Sequence, residues 1–129
     1  MMTLKTELTL PAAGLSGFEP PLAEEEAAIQ AGVHRFAREV LRPLGAELDR
    51  MTAAAVIAPG SPYYGVFAEF AKLGLDPFAL AELPPDMAVR IDSLIGEDLG
   101  WGDSGLAVSL VVAGFPVQMA SIVGSQELV

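Results

Sequence analysis

Arg35-Phe36-Ala37-Arg38-Glu39-Val40-Leu41-Arg42-Pro43-Leu44-Gly45-Ala46-Glu47-Leu48-Asp49-Arg50 is the stretch whose reading decides the fold. Its apolar residues continue a stripe that begins upstream: Ile29, Val33, Phe36, Val40 and Leu44 recur at intervals of four, three, four and four. That is the spacing of one face of an α-helix. Arg35, Arg38, Glu39, Arg42 and Glu47 fall mostly off the stripe. The spacing predicts a helix from about Leu22 to Leu48. Glu24-Glu25-Glu26 occupy its first turn, where carboxylates meet the positive end of the helix dipole. Pro43 has no amide hydrogen and is expected to kink or end the regular part.

Working outward, the same pattern recurs. Pro59-Gly60-Ser61-Pro62 is turn chemistry. A short helix is predicted from about Tyr64 to Leu73, with Val66, Phe67, Phe70 and Leu73 inward and Gly74 as its left-handed cap. Pro84-Pro85 suits the first turn of a third helix. That helix places Met87, Ile91, Leu94, Ile95 and Leu99 on one side and ends near Gly100-Trp101-Gly102. Asp103 or Ser104 is positioned to cap the next helix. Leu106 to Ala113 is almost wholly apolar; Gly114-Phe115-Pro116 is expected to break it before Val117 to Val123 resumes and Gly124 stops it. Ser125 to Leu128 reads as the start of a further helix, cut short. No segment alternates as a strand does. The expected fold is all-α, an orthogonal or up-down bundle of about five to six helices with the last truncated. Residues 1–20 form a flexible lead-in and 21–129 a single domain.

Composition narrows the function classes. The chain has 129 residues and a formal charge of −10, with Asp+Glu 17 against Lys+Arg 7. Nucleic acids and anionic membrane surfaces select the opposite sign. There is no cysteine, so neither a disulfide framework nor a thiolate metal site is expected. His34 is the single histidine, which makes a zinc site improbable, and no metal is expected. These features fit a cytoplasmic protein. The chain is apolar for a soluble one, with a mean hydropathy of +0.46. Gly105 to Val123 runs nineteen residues without a charge, long enough to raise the question of a membrane span. Gly114, Pro116, Ser109, Gln118 and Ser121 interrupt it, and its flanks carry Asp98, Asp103 and Glu127 rather than basic anchors. It reads instead as the centre of a bundle.

Few residues point to chemistry by themselves. His34 lies beside the apolar stripe of the first helix, and a catalytic base would need a partner acid that the sequence does not reveal. It reads as a surface or packing residue. Glu97, Asp98 and Asp103 form a local carboxylate cluster, read as a solvated helix end plus a cap. Gly100-Trp101-Gly102-Asp103-Ser104-Gly105 follows a helix rather than a strand, so it reads as an interhelical turn and not a dinucleotide loop. Tyr63 and Tyr64 read as loop packing with wet hydroxyls.

Taken jointly, the first stretch, Phe67-Ala68-Glu69-Phe70-Ala71-Lys72-Leu73-Gly74-Leu75 and Gly96-Glu97-Asp98-Leu99-Gly100-Trp101-Gly102-Asp103-Ser104-Gly105-Leu106-Ala107 resemble the N-terminal helical domain of the acyl-CoA dehydrogenase family. Phe36, Pro43, Asp49, the Phe70-to-Gly74 helix end and the Glu97-to-Gly105 turn stand in that family's order and at about its spacing. Asp76 to Asp86 departs from the Pro-containing, Gly-Gly-ending loop usual there, which points to a divergent branch. The resemblance implies FAD, an acyl-CoA-type substrate, an electron-transfer acceptor and a homo-oligomer in the full-length protein. It implies α,β-dehydrogenation of an acyl thioester, with oxidases and flavin monooxygenases as relatives on the same scaffold. It places no catalytic residue in this chain, because the family's catalytic carboxylate and main FAD contacts come from later sequence. What it carries over is an apolar wall for the acyl tail at Val108, Val111, Val112 and Phe115. Core packing is the alternative role for those four. A stand-alone acidic helical interaction module is the alternative for the whole chain.

Overall fold

The computed structural model describes residues 21–75, 80 and 82–123; the lead-in 1–20 and the expected final helix at Ser125 to Leu128 lie outside the described residues. Every regular element among those described is helical. In chain order they are α1 (Glu24–Phe36), a π-helical turn (Ala37–Leu41), α2 (Arg42–Leu48), α3 (Ala53–Val56), a 3-10 turn (Pro62–Tyr64), α4 (Gly65–Ala71), α5 (Pro85–Gly102) and α6 (Ser104–Val123).

The first helix does not end at Pro43. α1, the π turn and α2 join with helical dihedrals at each junction. The chain meets the proline by widening: the Arg42 N–H bonds to the Ala37 carbonyl, five residues back rather than four. An imide nitrogen cannot donate to the turn below it, and a single π turn shifts the register just before it. The expected interruption is therefore a change of helix type, not a stop.

The break expected at Gly114-Phe115-Pro116 does not occur. α6 runs unbroken from Ser104 to Val123 with Pro116 inside it. Pro116 leaves the Val112 carbonyl without its usual donor. Both residues are exposed, so the carbonyl is not left orphaned in the core. Gly114-Phe115-Pro116 does not divide the helix.

Elsewhere the stripes locate the elements well. α5 starts at Pro85 and buries Ile91, Leu94, Ile95 and Leu99. Gly74 has φ +67, the expected left-handed cap. Val66 is buried, while Phe67, Phe70 and Leu73 lie half-buried against the core. α3 has no counterpart in the sequence reading; Thr52 caps it, with Oγ1 accepting from the Ala55 N–H at 3.3 Å.

The core lies where α1, the π turn, α5 and α6 meet: Val33, Phe36, Ala37, Leu41, Val66, Ile91, Ile95, Leu99, Leu106, Ala107 and Leu110. Phe70 joins it from α4, its ring 5.6 Å from that of Phe36. α1 and α5 run parallel, because two polar pairs join them in one register. Glu26 meets Arg90 and His34 meets Asp98, each pair sixty-four positions apart in the chain. Farther along, Gly102 lies against Ala37 and Leu41, where a Cβ would stand 2.9 Å from the Ala37 Cβ and 3.1 Å from its Cα. Glycine is required there by close approach of the two backbones. α6 then returns across α5 from the Asp103 turn.

Candidate functional site

Two features carry side chains in an arrangement that packing alone does not require. The first is the outer face of α6. Val108, Val111, Val112 and Phe115 are between 47% and 61% exposed, and Met119 extends the row at 54%. At 100° per residue the five fall within one arc of about 100°. The opposite face of the helix supplies Leu106, Ala107 and Leu110 to the core. The four residues assigned to an acyl wall therefore share a face, and the alternative that they are core of this chain does not hold. The helix is held in place by its start. Asp103 Oδ1 accepts the Leu106 N–H at 2.8 Å, so Asp103 is the cap. Its carboxylate packs on Gly45 of α2, where a Cβ would stand 2.9 Å from Asp103 Cγ. Ser109, beside the row, donates its hydroxyl to the Gly105 carbonyl at 3.0 Å.

The second feature is a cluster at the α1–α5 contact. Asp98 is not solvated, as the sequence reading had it: its side chain is 5% exposed, against 32% for His34. His34 Nδ1 lies 2.8 Å from Asp98 Oδ1. An ionised carboxylate only accepts, which places the imidazole proton on Nδ1 and leaves Nε2 as the other ring position. The His34 ring lies 4.5 Å from the Trp101 ring, and the Arg42 guanidinium lies 4.6 Å from that same indole. Arg42 also donates to the Trp101 carbonyl at 3.3 Å. Asp98, His34, Trp101 and Arg42 thus form a continuous polar-aromatic chain that fastens the end of α5 to α1. Asp98 Oδ2 is buried without a hydrogen-bond partner.

The partner acid for His34 is therefore present, and sequence reading missed it. A signal did exist. Glu26 and His34 are spaced eight apart on one helix, and Arg90 and Asp98 eight apart on another, with complementary chemistry at both positions. The second clasp is less well formed: Arg90 Nη2 lies 3.1 Å from Glu26 Oε2 but is not aligned for a hydrogen bond. That same oxygen accepts the Ala23 N–H at 2.8 Å at the start of α1.

The remaining candidates are structural. Tyr64 donates its hydroxyl to the Ile57 carbonyl at 2.8 Å, and Tyr63 packs edge-on against both Tyr64 and Phe67. Of the Gly100-to-Gly105 segment, expected to be an interhelical turn, only Asp103 lies between helices: α5 runs through Gly102 and α6 begins at Ser104. Among the described residues no group of three or more histidine, aspartate and glutamate side chains could hold a metal ion. Among them, too, no helix is long and apolar enough to cross a membrane.

The apolar row of α6 does not by itself supply the donors that FAD needs. A flavin ring edge and a pyrophosphate need hydrogen-bond donors or free helix amides. On the α6 face the Ser109 hydroxyl and the Leu106 amide are already committed. The row itself is apolar and exposed. No family model, curated protein or solved structure matches this chain.

Proposed function

We propose that this chain is the N-terminal helical domain of an acyl-CoA dehydrogenase-like flavoprotein, and that α6 supplies the apolar wall along which the acyl tail of the thioester lies. One observation carries the reading. Val108, Val111, Val112 and Phe115, picked out by family resemblance, share one exposed face that the other described residues leave uncovered. Burying methylenes against such a face contributes about 0.8 kcal/mol each. The Asp103 cap and its seat on Gly45 fix the start of the wall on the first helix. FAD, the electron acceptor and the carboxylate that takes the α-proton are assigned to residues outside this chain, which alone is expected to be inactive.

Methyl-resolved NMR of the chain with CoA thioesters of increasing alkyl length tests this. Shifts at the Val108, Val111 and Val112 methyls should grow with chain length and should be absent with free CoA. Equal responses to free CoA and to its long-chain thioesters, or none to either, would refute the wall.

A further inference from the structure

We propose that His34 and Arg42, set on one face of the first helix and both against Trp101, bind a phosphate monoester group, at a site independent of the function proposed above. An α-helix comes back to the same face after seven residues, or two turns. The π turn Ala37–Leu41 holds one residue more than an α turn. Eight residues, from His34 to Arg42, therefore bring back the same face. Both side chains reach one indole: the His34 ring lies 4.5 Å from it and the Arg42 guanidinium 4.6 Å. In a regular α-helix Arg42 would be turned about 80° away from His34. Single π turns of this kind are frequent at functional sites.

The fold leaves binding capacity unspent on both side chains. Among the described residues the buried polar atoms without a partner are Arg90 Nη2 and Asp98 Oδ2. His34 Nε2 is not one of them and has no partner there either, so it faces solvent. Asp98 holds the Nδ1 proton at 2.8 Å, which leaves Nε2 to share a proton with a ligand oxygen. His34 is the only hydrogen-bond partner of Asp98 among the described residues, so the carboxylate acts on this ring alone. Arg42 spends one N–H on the Trp101 carbonyl and pairs with no carboxylate among the described residues. A guanidinium has five N–H groups, and those left over suit two oxygens of one oxyanion.

The local charge favours an anion although the net charge of −10 does not. Residues 34–42 carry Arg35, Arg38 and Arg42 against Glu39 alone, and Glu39 is turned onto Arg38 at 2.9 Å. Exposed carboxylates farther off than about 8 Å are largely screened at physiological salt. The proton then selects among oxyanions. With the Nδ1 proton committed to Asp98, the contact at Nε2 takes one proton shared between the nitrogen and a ligand oxygen. A phosphate monoester brings it, since its last proton leaves at about pH 6. Sulfate, carboxylates and the diester phosphates of a dinucleotide are acceptors only at neutral pH.

The chain has one histidine and one tryptophan, and both belong to this site. Inorganic phosphate, and methyl phosphate as its simplest monoester, are titrated into the chain at fixed pH and ionic strength. The His34 imidazole is followed by NMR and Trp101 by fluorescence. Saturable changes in both signals, with one Kd, are expected for each probe. Arg42→Gln should raise that Kd at least ~10-fold, as for loss of a charge-assisted hydrogen bond. His34→Gln, read through Trp101, should raise it likewise. Lys72→Gln, the same change of charge at the end of α4, should leave Kd within about twofold. Sulfate should bind at least ~10-fold more weakly than phosphate, for want of the shared proton. A response that does not saturate, or a Kd that Arg42→Gln and His34→Gln leave unchanged, overturns the site. Sulfate bound as tightly as phosphate, or inorganic phosphate bound without methyl phosphate, overturns the assignment to phosphate monoesters.

Discussion

Replacing Gly45 with alanine has a sign that depends on a residue fifty-eight positions away. Gly45 lies inside α2 and is buried, and a Cβ there would stand 2.9 Å from Asp103 Cγ and 3.3 Å from Asp103 Cβ. The Asp103 side chain cannot simply swing aside, because its Oδ1 holds the Leu106 N–H at 2.8 Å and caps α6. Forcing extra volume into such a contact costs about 1–3 kcal/mol, offset by up to ~1 kcal/mol from the better helix propensity of alanine. Gly45→Ala alone should therefore destabilise the fold by about 1–2 kcal/mol. Asp103→Ala alone should cost about 1 kcal/mol through the lost cap. Introduced into Asp103→Ala, however, Gly45→Ala meets no carboxylate; the approach of 3.3 Å to the Cβ at position 103 remains, needs only a few tenths of an ångström of give, and is outweighed by the propensity term. It should then stabilise by roughly 0.5–1 kcal/mol. Urea unfolding followed by far-UV circular dichroism gives all four corners of the cycle. Effects that add within about 0.5 kcal/mol would show that Gly45 and Asp103 do not oppose each other.

Three further outcomes follow from the same packing. Gly102→Ala should cost about 1–3 kcal/mol and find no rescue, since the added methyl meets the Ala37 backbone and the Leu41 Cβ rather than a movable side chain; the urea midpoint of the variant checks this. Leu41→Ala, at a site with no exposure, should lose about 2–5 kcal/mol. Val112→Ala should change stability by no more than ~0.5 kcal/mol, and comparable losses for the two in thermal unfolding would contradict the assignment of α6's outer face. Asp98→Ala should cost about 1.5–3 kcal/mol by removing a charge-assisted hydrogen bond. It should also free the His34 ring, visible as averaging of its side-chain NMR signals.

Helix positions were legible because apolar spacing is a local property: Ile29 to Leu44 and Met87 to Leu99 each announce a buried face. At Pro43 the expected irregularity takes the form of a π turn, with the helix reaching Leu48 as its stripe predicts, whereas the break expected at Pro116 is absent. Pro43 and Pro116 each remove one hydrogen bond, but whether that ends a helix depends on what else can serve the freed carbonyl. The π turn before Pro43 and the exposure of Val112 and Pro116 belong to the folded chain, not to the local sequence. α3 was missed because four residues carry too little periodicity to stand out. Of the site, the α6 row was readable as a stripe, but not its exposure, since an apolar face looks the same whether covered or bare. Asp98 was misread as solvated because its position at a helix end hides that α1 lies over it. The register joining Glu26 to Arg90 and His34 to Asp98 was written in the equal spacing of the two pairs. Nothing local shows which helices face each other.

The parallel alignment of α1 and α5 bears on how the chain assembles. Neighbouring helices that run antiparallel meet through short loops and find one another quickly. α1 and α5 must instead be brought together across the whole stretch from Asp49 to Pro84, so their clasps form only after a long loop has closed. α5 and α6, joined through Asp103 alone, face no such delay. The α5–α6 hairpin is thus expected to be structured in the rate-limiting step, with α1 docking on it afterwards. Leu110→Ala should then slow folding, whereas Val33→Ala should chiefly speed unfolding.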